Sequence, residues 1–90
     1  MIAKKLLDKL EDNGVVEADE IVLIDDEALS DSCVGVTYDN RAVYDYDKII
    51  EDLVKYHHLT PEEAREHIDF NIIRSLSYYS RSPIVFESFE

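Results

Sequence analysis

Histidines and glutamates in the second half of the chain form its densest group of chemically active side chains. The group consists of His57, His58, Glu62, Glu63 and His67. Imidazole and carboxylate groups bind metal ions such as zinc, so one hypothesis is a small metal-dependent enzyme using His58, Glu62 and His67. The order differs from the H-E-x-x-H motif of metalloproteases. Exposed histidines at a corner between two helices are the ordinary interpretation, and we assign no metal ligands.

No other stretch has the spacing of a catalytic or cofactor site. The acidic stretches DYDKIIED and DDE lack the D-x-D-x-D-G pattern and the distal glutamate of a calcium loop. Gly14 and Gly35 are isolated, so there is no glycine-rich phosphate loop. Ser30, Ser32 and Cys33 show no pairing with a general base. The sequence therefore predicts a non-enzymatic protein with no catalytic residues and no cofactor.

Negative charge is the most informative property of the chain. The formal net charge is −12, from 21 acidic and 9 basic residues. Ten of the acids lie in residues 11–39, a segment without Lys or Arg, so the remaining 11 acids and 9 bases contribute only −2. Direct nucleic-acid binding is disfavoured, because phosphate contacts need a basic surface.

The concentration of acids has two interpretations. The first is a solvated face that aids solubility. The second is an interaction surface for a basic partner, which relieves the repulsion between carboxylates when it binds. The residues that we predict to contact such a partner are Glu17, Asp19, Glu20, Asp25, Asp26, Glu27 and Asp31.

Hydrophobic periodicity predicts an α+β fold. Alternating residues on both sides of Asp39-Asn40 predict a two-residue turn in an antiparallel hairpin over about 34–45, with Val36 opposite Val43 and Tyr38 opposite Arg41. A C-terminal strand over about 84–88 completes a small antiparallel sheet, and residues 21–24 form a further possible strand. Residues 25–32 are predicted to be a loop.

Three helices are predicted to pack on this sheet, over about 2–12, 46–57 and 61–76. Asn13-Gly14 ends the first helix, and Asp45 or Asp47 caps the second. Thr60, Pro61 and Glu63 form a capping box with proline at the first helical position of the third helix. Its apolar positions follow at spacings of four and are widened by Phe70 and Ile73, which predicts packing on more than one side.

Composition limits the class of protein. Ninety residues suit a single compact domain over 1–90. The single cysteine, Cys33, excludes an intrachain disulfide and is predicted to be a buried, inert thiol. No apolar run approaches the length of a membrane span, and no signal peptide is recognisable. We expect a soluble cytoplasmic protein.

The six tyrosines of the chain are interpreted mainly as packing residues, of which a minority could contact a partner.

The region around 33–86 resembles a known family. The stretches RAVYDYDKIIEDL and EEAREHIDFNIIRSL are its most distinctive parts, and SPIVF follows them. They resemble a family of small proteins of uncharacterised function from bacterial genomes, prophages and phages. The family tends to have a glycine in the hairpin turn and a proline after the helix, where Asn40 and Ser77 stand here. The resemblance implies a phage-related origin and supplies no catalytic residues.

The functional prediction combines the charge with this resemblance. Small acidic phage proteins often resemble antagonists of host defence, including anti-CRISPR and anti-restriction proteins. We therefore expect a binder that blocks a host nucleic-acid-binding protein, such as a CRISPR–Cas effector or another defence nuclease, in the host bacterial cytoplasm. Nucleic-acid mimicry is a candidate mode of this inhibition. A phage structural or assembly adaptor with an apolar interface is the alternative, and a metal-dependent enzyme is a further one.

Overall fold

The computed structural model describes residues 4–24, 26–76 and 81–89. Helix α1 (Lys4–Asp12) is followed by a short 3-10 turn (Ala18–Glu20) and a longer 3-10 helix (Glu27–Ser32). Strands β1 (Cys33–Val36) and β2 (Ala42–Asp45) lead into helix α2 (Tyr46–His57). The third helix consists of α3 (Pro61–His67), a π-helical turn (Ile68–Ile73) and α4 (Arg74–Leu76), and strand β3 (Ile84–Phe86) follows. The predicted α+β class is confirmed.

The sheet is mixed, so the prediction of an antiparallel sheet was wrong for its last strand. The strand order is β1-β2-β3, with β1 antiparallel and β3 parallel to the central strand β2. Two helices connect β2 to β3, and such a crossover returns the chain to the end of the sheet at which β2 began. Strand β3 therefore runs in the direction of β2.

The hairpin has a longer loop than predicted, which shifts its register. Thr37 N donates to Arg41 O at 2.8 Å and Asn40 N donates to Thr37 O at 3.0 Å, so Tyr38, Asp39 and Asn40 form the loop. Asn40 adopts the left-handed conformation, with φ of 61°. A three-residue loop with its last residue left-handed is a common hairpin connection.

The extra loop residue changes every predicted pair. Val36 pairs with Ala42 and Gly35 pairs with Val43, and the register shifts again between Cys33 and Gly35. The predicted pairing of Val36 with Val43 was therefore wrong by one residue. One face of the hairpin still enters the core, because Ala42 and Tyr44 are fully buried.

Residues 21–24 do not form the further strand that the apolar run suggested. Both sides of β2 are already occupied by β1 and β3. Ile21 is buried, and Ile24 N donates instead to the hydroxyl of buried Tyr44 at 3.1 Å. The segment packs over the core and is hydrogen-bonded to the central strand through the Tyr44 side chain.

The predicted loop at 25–32 was also wrong in part, because residues 27–32 form a 3-10 helix. Its interior side buries Leu29, Ser30 and Ser32. Ser30 Oγ donates to Glu27 O at 2.9 Å, and Ser32 Oγ donates to Asp52 Oδ2 at 2.5 Å. This helix packs on α2 and on α1.

The predicted helix ends follow from local side chains. Gly14, with φ of 75°, follows α1, whose predicted first residues 2 and 3 lie outside the described part. Asp45 Oδ1 accepts from Asp47 N at 3.0 Å and from Lys48 N at 3.3 Å, so Asp45 is the cap of α2. The capping box of Thr60 and Glu63 is present in α3. These predictions are confirmed.

The third helix is packed on one side only, contrary to the prediction. Ala64, Ile68 and Ile72 are buried, whereas Phe70 is 64% and Ile73 is 40% exposed. A spacing of four drifts by about 40° per step around a helix of 3.6 residues per turn. The wider π-helical turn offsets this drift and keeps Ile68 and Ile72 on the core side.

One hydrophobic core joins these elements. Its buried members are Leu6, Leu10, Ala18, Ile21, Leu29, Cys33, Ala42, Tyr44, Ile49, Leu53, Ala64, Ile68 and Ile72. The Cα radius of gyration is 12.6 Å, close to the value of about 12 Å expected for a compact domain of this length. The predicted burial of Cys33 is confirmed, and burial raises the pKa of its thiol.

Candidate functional site

The structure divides the predicted contact residues into two groups. Asp25 lies outside the described residues. The second group consists of Glu27 and Asp31 on the 3-10 helix and of Asp26, which caps its N-terminus. The first group consists of Glu17, Asp19 and Glu20 at the short 3-10 turn. The two groups differ in how many hydrogen bonds and ion pairs their carboxylates form with other residues.

Asp26 has a structural role in the second group. Its Oδ1 accepts from Ala28 N at 2.9 Å and so caps the 3-10 helix. Its Oδ2 lies 3.0 Å from His57 Nε2 on α2. Only 25% of the Asp26 side chain is exposed. The Asp26 carboxylate therefore links the 3-10 helix to α2, with one partner on each oxygen.

Glu27 and Asp31 both contact Lys5 of α1. Glu27 Oε1 accepts from the Lys5 backbone N at 3.3 Å, and Asp31 Oδ2 lies 3.5 Å from Lys5 Nζ. The Lys5 and Asp31 side chains are more than half exposed. Such an exposed pair contributes little to stability, but it does offset part of the charge of this group.

The first group holds its carboxylates together. Glu17 has a left-handed backbone, with φ of 55° and ψ of 40°, and precedes the short 3-10 turn that bears Asp19 and Glu20. All three side chains are exposed. A hydrogen bond from the Glu17 side chain, followed by the charge of Glu17, raises the pKa of Glu20, and the charge of Asp19 adds to this effect. The structure therefore keeps like charges close.

Two further acids lie on the helix that contacts this turn. Glu11 and Asp12 are exposed in the last turn of α1, which contacts the short 3-10 turn. Acidic residues are unfavourable at a helix C-terminus, where the helix dipole is negative. We call Glu11, Asp12, Glu17, Asp19 and Glu20 the acidic patch. The ordinary interpretation of such a patch is a solvated surface, as noted above.

The hairpin loop is electrostatically linked to the acidic patch. The charge of Arg81 favours the ionised form of both Glu20 and Asp39. A hydrogen bond from Thr37 is the main cause of the lowered pKa of Asp39. Tyr38, at the same loop, is fully exposed. The sequence did not indicate that Arg81 interacts with Glu20, because the two residues are far apart in the chain.

The tyrosines only partly follow the packing interpretation. Tyr44 is fully buried, and burial raises the pKa of its hydroxyl. Tyr46 is half-buried against the core. Tyr38 and Tyr56 are exposed, which leaves them accessible to a partner. Tyr78 and Tyr79 lie outside the described residues.

The histidine-rich group does not converge on one point. His57 faces Asp26, His58 ends α2 in a left-handed conformation with φ of 58°, and His67 Nδ1 lies 3.2 Å from Asn71 Nδ2. Within residues 4–24, 26–76 and 81–89, no three His, Cys, Asp or Glu side chains come together as metal ligands. The combination of His58, Glu62 and His67 is therefore not brought together.

Comparison with known proteins gave no relative. No family model, curated protein or solved structure matches the chain. The resemblance to phage proteins stays a prediction. Among the helices of the described segments, none is both long and apolar enough to cross a membrane.

Proposed function

We propose that this chain is a non-enzymatic binding protein of phage origin that blocks a basic nucleic-acid-binding protein in the host bacterial cytoplasm. A CRISPR–Cas effector or another defence nuclease has the required chemistry. The carboxylates of the acidic patch occupy positions that phosphates take in the partner's own ligand. The partner is therefore prevented from binding nucleic acid.

The observation that carries this proposal is the contact between Glu17 and Glu20. A hydrogen bond with the Glu17 side chain is the main cause of the raised pKa of Glu20, and repulsion by the charge of Glu17 adds to it. The left-handed backbone of Glu17 costs further free energy, because L-residues with a Cβ are disfavoured there. Local arrangements that oppose stability are most often retained at functional sites. A cationic partner removes the electrostatic part of this cost.

The geometry also ranks the predicted contact residues. Glu17, Asp19 and Glu20 are all exposed, as are Glu11 and Asp12, and Arg81 offsets part of the charge of Glu20. Glu27 and Asp31 lie further along, where Lys5 offsets part of their charge. Asp26 mainly has a structural role.

Capture of the partner from a bacterial lysate tests the proposal. The intact chain is the bait, and the matched bait carries Glu17→Gln, Asp19→Asn and Glu20→Gln. We expect the intact bait to enrich a nucleic-acid-binding protein, identified by mass spectrometry, and added single- or double-stranded DNA to compete with it. Capture by both baits alike, or binding that DNA does not reduce, contradicts the proposal.

An apolar surface supports the alternative of a phage assembly adaptor. Phe70 and Ile73 lie one turn apart on the outer side of the third helix and remain exposed. The Arg74 guanidinium carbon lies 5.9 Å from the centre of the Phe70 ring. Binding through this surface survives high salt, because it depends on apolar burial. Loss of capture on Phe70→Ser, with the acidic patch intact, favours the adaptor.

A further inference from the structure

A cleft of about 330 Å³ lies between the 21–24 segment and the third helix. Its apolar wall includes Leu23, Ile24, Ile72 and Pro83. The π-helical turn provides Ile72, and turns of this rare type occur frequently at functional sites. The volume is at the lower end of the range for cavities that hold small ligands. The cleft is separate from the acidic patch.

The polar groups of the cleft are mainly hydrogen-bond acceptors. Asp26 lines it, and its two oxygens each have one partner, Ala28 N and His57 Nε2. A carboxylate accepts about four hydrogen bonds, so two sites remain. Ser75 also lines the cleft, and its hydroxyl donates to Ile72 O at 2.8 Å, which leaves its lone pairs free to accept.

A pair on the third helix adds to this set. His67 and Asn71 both line the cleft, with 3.2 Å between His67 Nδ1 and Asn71 Nδ2. When the amide donates to the imidazole, the carbonyl oxygen of Asn71 is a further acceptor. A ligand with several N–H donors in one plane matches these groups better than a ligand with acceptors.

The negative charge in and around this cleft favours a cationic ligand. Among the described residues that line it, Asp26 is the carboxylate, and His57 offsets that charge only when its imidazole is protonated. The net charge of −12 repels anions from the whole molecule. An arginine side chain combines a positive charge, five N–H donors in a planar fork and an apolar stem. The stem suits the wall of Leu23, Ile24 and Ile72.

We propose that this cleft binds the side chain of an arginine that a protein partner presents. The guanidinium group donates to Asp26 and its neighbours, and the methylene groups pack on the apolar wall. The proposal rests on the proposed function only in assigning the arginine to the same basic partner. The cleft then fixes the orientation of a partner that the acidic patch attracts.

Titration of the whole chain with N-acetyl-L-arginine amide, followed by NMR of backbone amides, tests the proposal without any partner. We expect shifts at Leu23, Asn71 and Ser75 and none at Leu6 or Val34. N-acetyl-L-citrulline amide has the same shape without the charge, and we expect it to bind at least about tenfold more weakly, because hydrogen bonds to charged groups are the stronger ones. Equal binding of the two, or no shifts in the cleft, overturns the proposal.

Substitutions distinguish binding of arginine in the cleft from its general attraction to an acidic protein. Asp26→Asn should weaken arginine binding at least about tenfold. Because Asp26 also caps a helix, Ser75→Leu provides a second variant that fills the cleft and keeps the cap. Glu66→Gln is the matched control, since it removes one exposed charge outside this cleft. Equal weakening by Glu66→Gln and Asp26→Asn contradicts the proposal.

The two proposals fail separately. Arginine binding in the cleft needs no partner, so its loss leaves the capture result for the acidic patch unaffected. Failure to capture a partner from lysate likewise leaves the measured preference for arginine over citrulline intact.

Discussion

The Glu17 side chain raises the pKa of the exposed Glu20 carboxyl group, and Glu17 itself has a left-handed backbone. The two residues are three apart in the chain, across the start of a 3-10 turn. Where both carboxyl groups are ionised, the repulsion between them opposes folding. It supports the proposal that the acidic patch is kept for binding, and several measurements follow from it.

Two substitutions of Glu17 distinguish the effect of its backbone conformation on stability from the effect of its charge. Glu17→Gly removes the steric cost of a left-handed residue and the repulsion together, so we expect the free energy of unfolding to rise, by less than these two costs because glycine also has more freedom in the unfolded chain. Glu17→Gln removes only the charge and should give a smaller gain. Denaturant unfolding measures both. A loss of stability in Glu17→Gly means that favourable contacts of Glu17, together with the freedom of glycine in the unfolded chain, outweigh the strain.

The raised pKa of Glu20 predicts a pH dependence. An acid with a raised pKa in the folded state binds its proton more tightly there than in the unfolded chain. Protonation of Glu20 therefore contributes favourably to the free energy of unfolding at low pH. That contribution is lost as the pH rises through the folded-state pKa, above the ordinary value of 4.5. Glu20→Gln should therefore be more stable than the parent at pH 7 and not at pH 3.

NMR titration of the Glu20 carboxyl carbon checks the cause of this shift. In Glu17→Gln, the pKa of Glu20 should fall towards its ordinary value, because the largest perturbing charge is gone. An unchanged pKa in that variant assigns the shift to another cause and removes the main support for the acidic-patch proposal.

The hydroxyl of Tyr44 should hold the 21–24 segment on the sheet. Tyr44→Phe removes the acceptor of Ile24 N without changing the shape of the core, so we expect a loss of about 1 to 3 kcal/mol. Hydrogen exchange should accelerate at Ile24 more than at the amides of α2. Uniform acceleration throughout the chain instead indicates global destabilisation.

Helix α2 offers a matched pair for testing the core. Leu53 is fully buried and Val54 is 36% exposed. Leu53→Ala should cost about 2 to 5 kcal/mol, because it leaves a cavity in a packed interior. We expect a distinctly smaller loss for Val54→Ala. Similar losses for the two contradict the assignment of the core face of α2.

Local patterns in the sequence predicted the parts of the fold that depend on neighbouring residues. The cap at Asp45 and the box of Thr60 and Glu63 involve residues two or three apart, so spacing alone was sufficient. The direction of β3 and the failure of residues 21–24 to pair depend on which edges of β2 are already occupied. That information is not local.

The candidate site was predictable only as a concentration of charge. The acids of residues 11–39 were evident, but their division into two groups depends on contacts between distant residues. His57 lies 31 residues from Asp26, and Lys5 lies 26 residues from Asp31. The predicted loop around Asp26 and Glu27 contains a capped 3-10 helix, so reversing those charges would also disturb the fold.

Binding of the captured partner to two charge-reversed variants tests the central claim most directly. One variant carries Glu17→Lys, Asp19→Lys and Glu20→Lys, and the control carries Glu51→Lys, Glu66→Lys and Glu87→Lys at exposed positions elsewhere. Both have the same net charge. We expect about a hundredfold loss of affinity for the first and a much smaller loss for the control, with the parent's association slowing steeply as salt rises. Equal losses for the two variants, or full affinity in the first, contradict the claim that the acidic patch binds the partner.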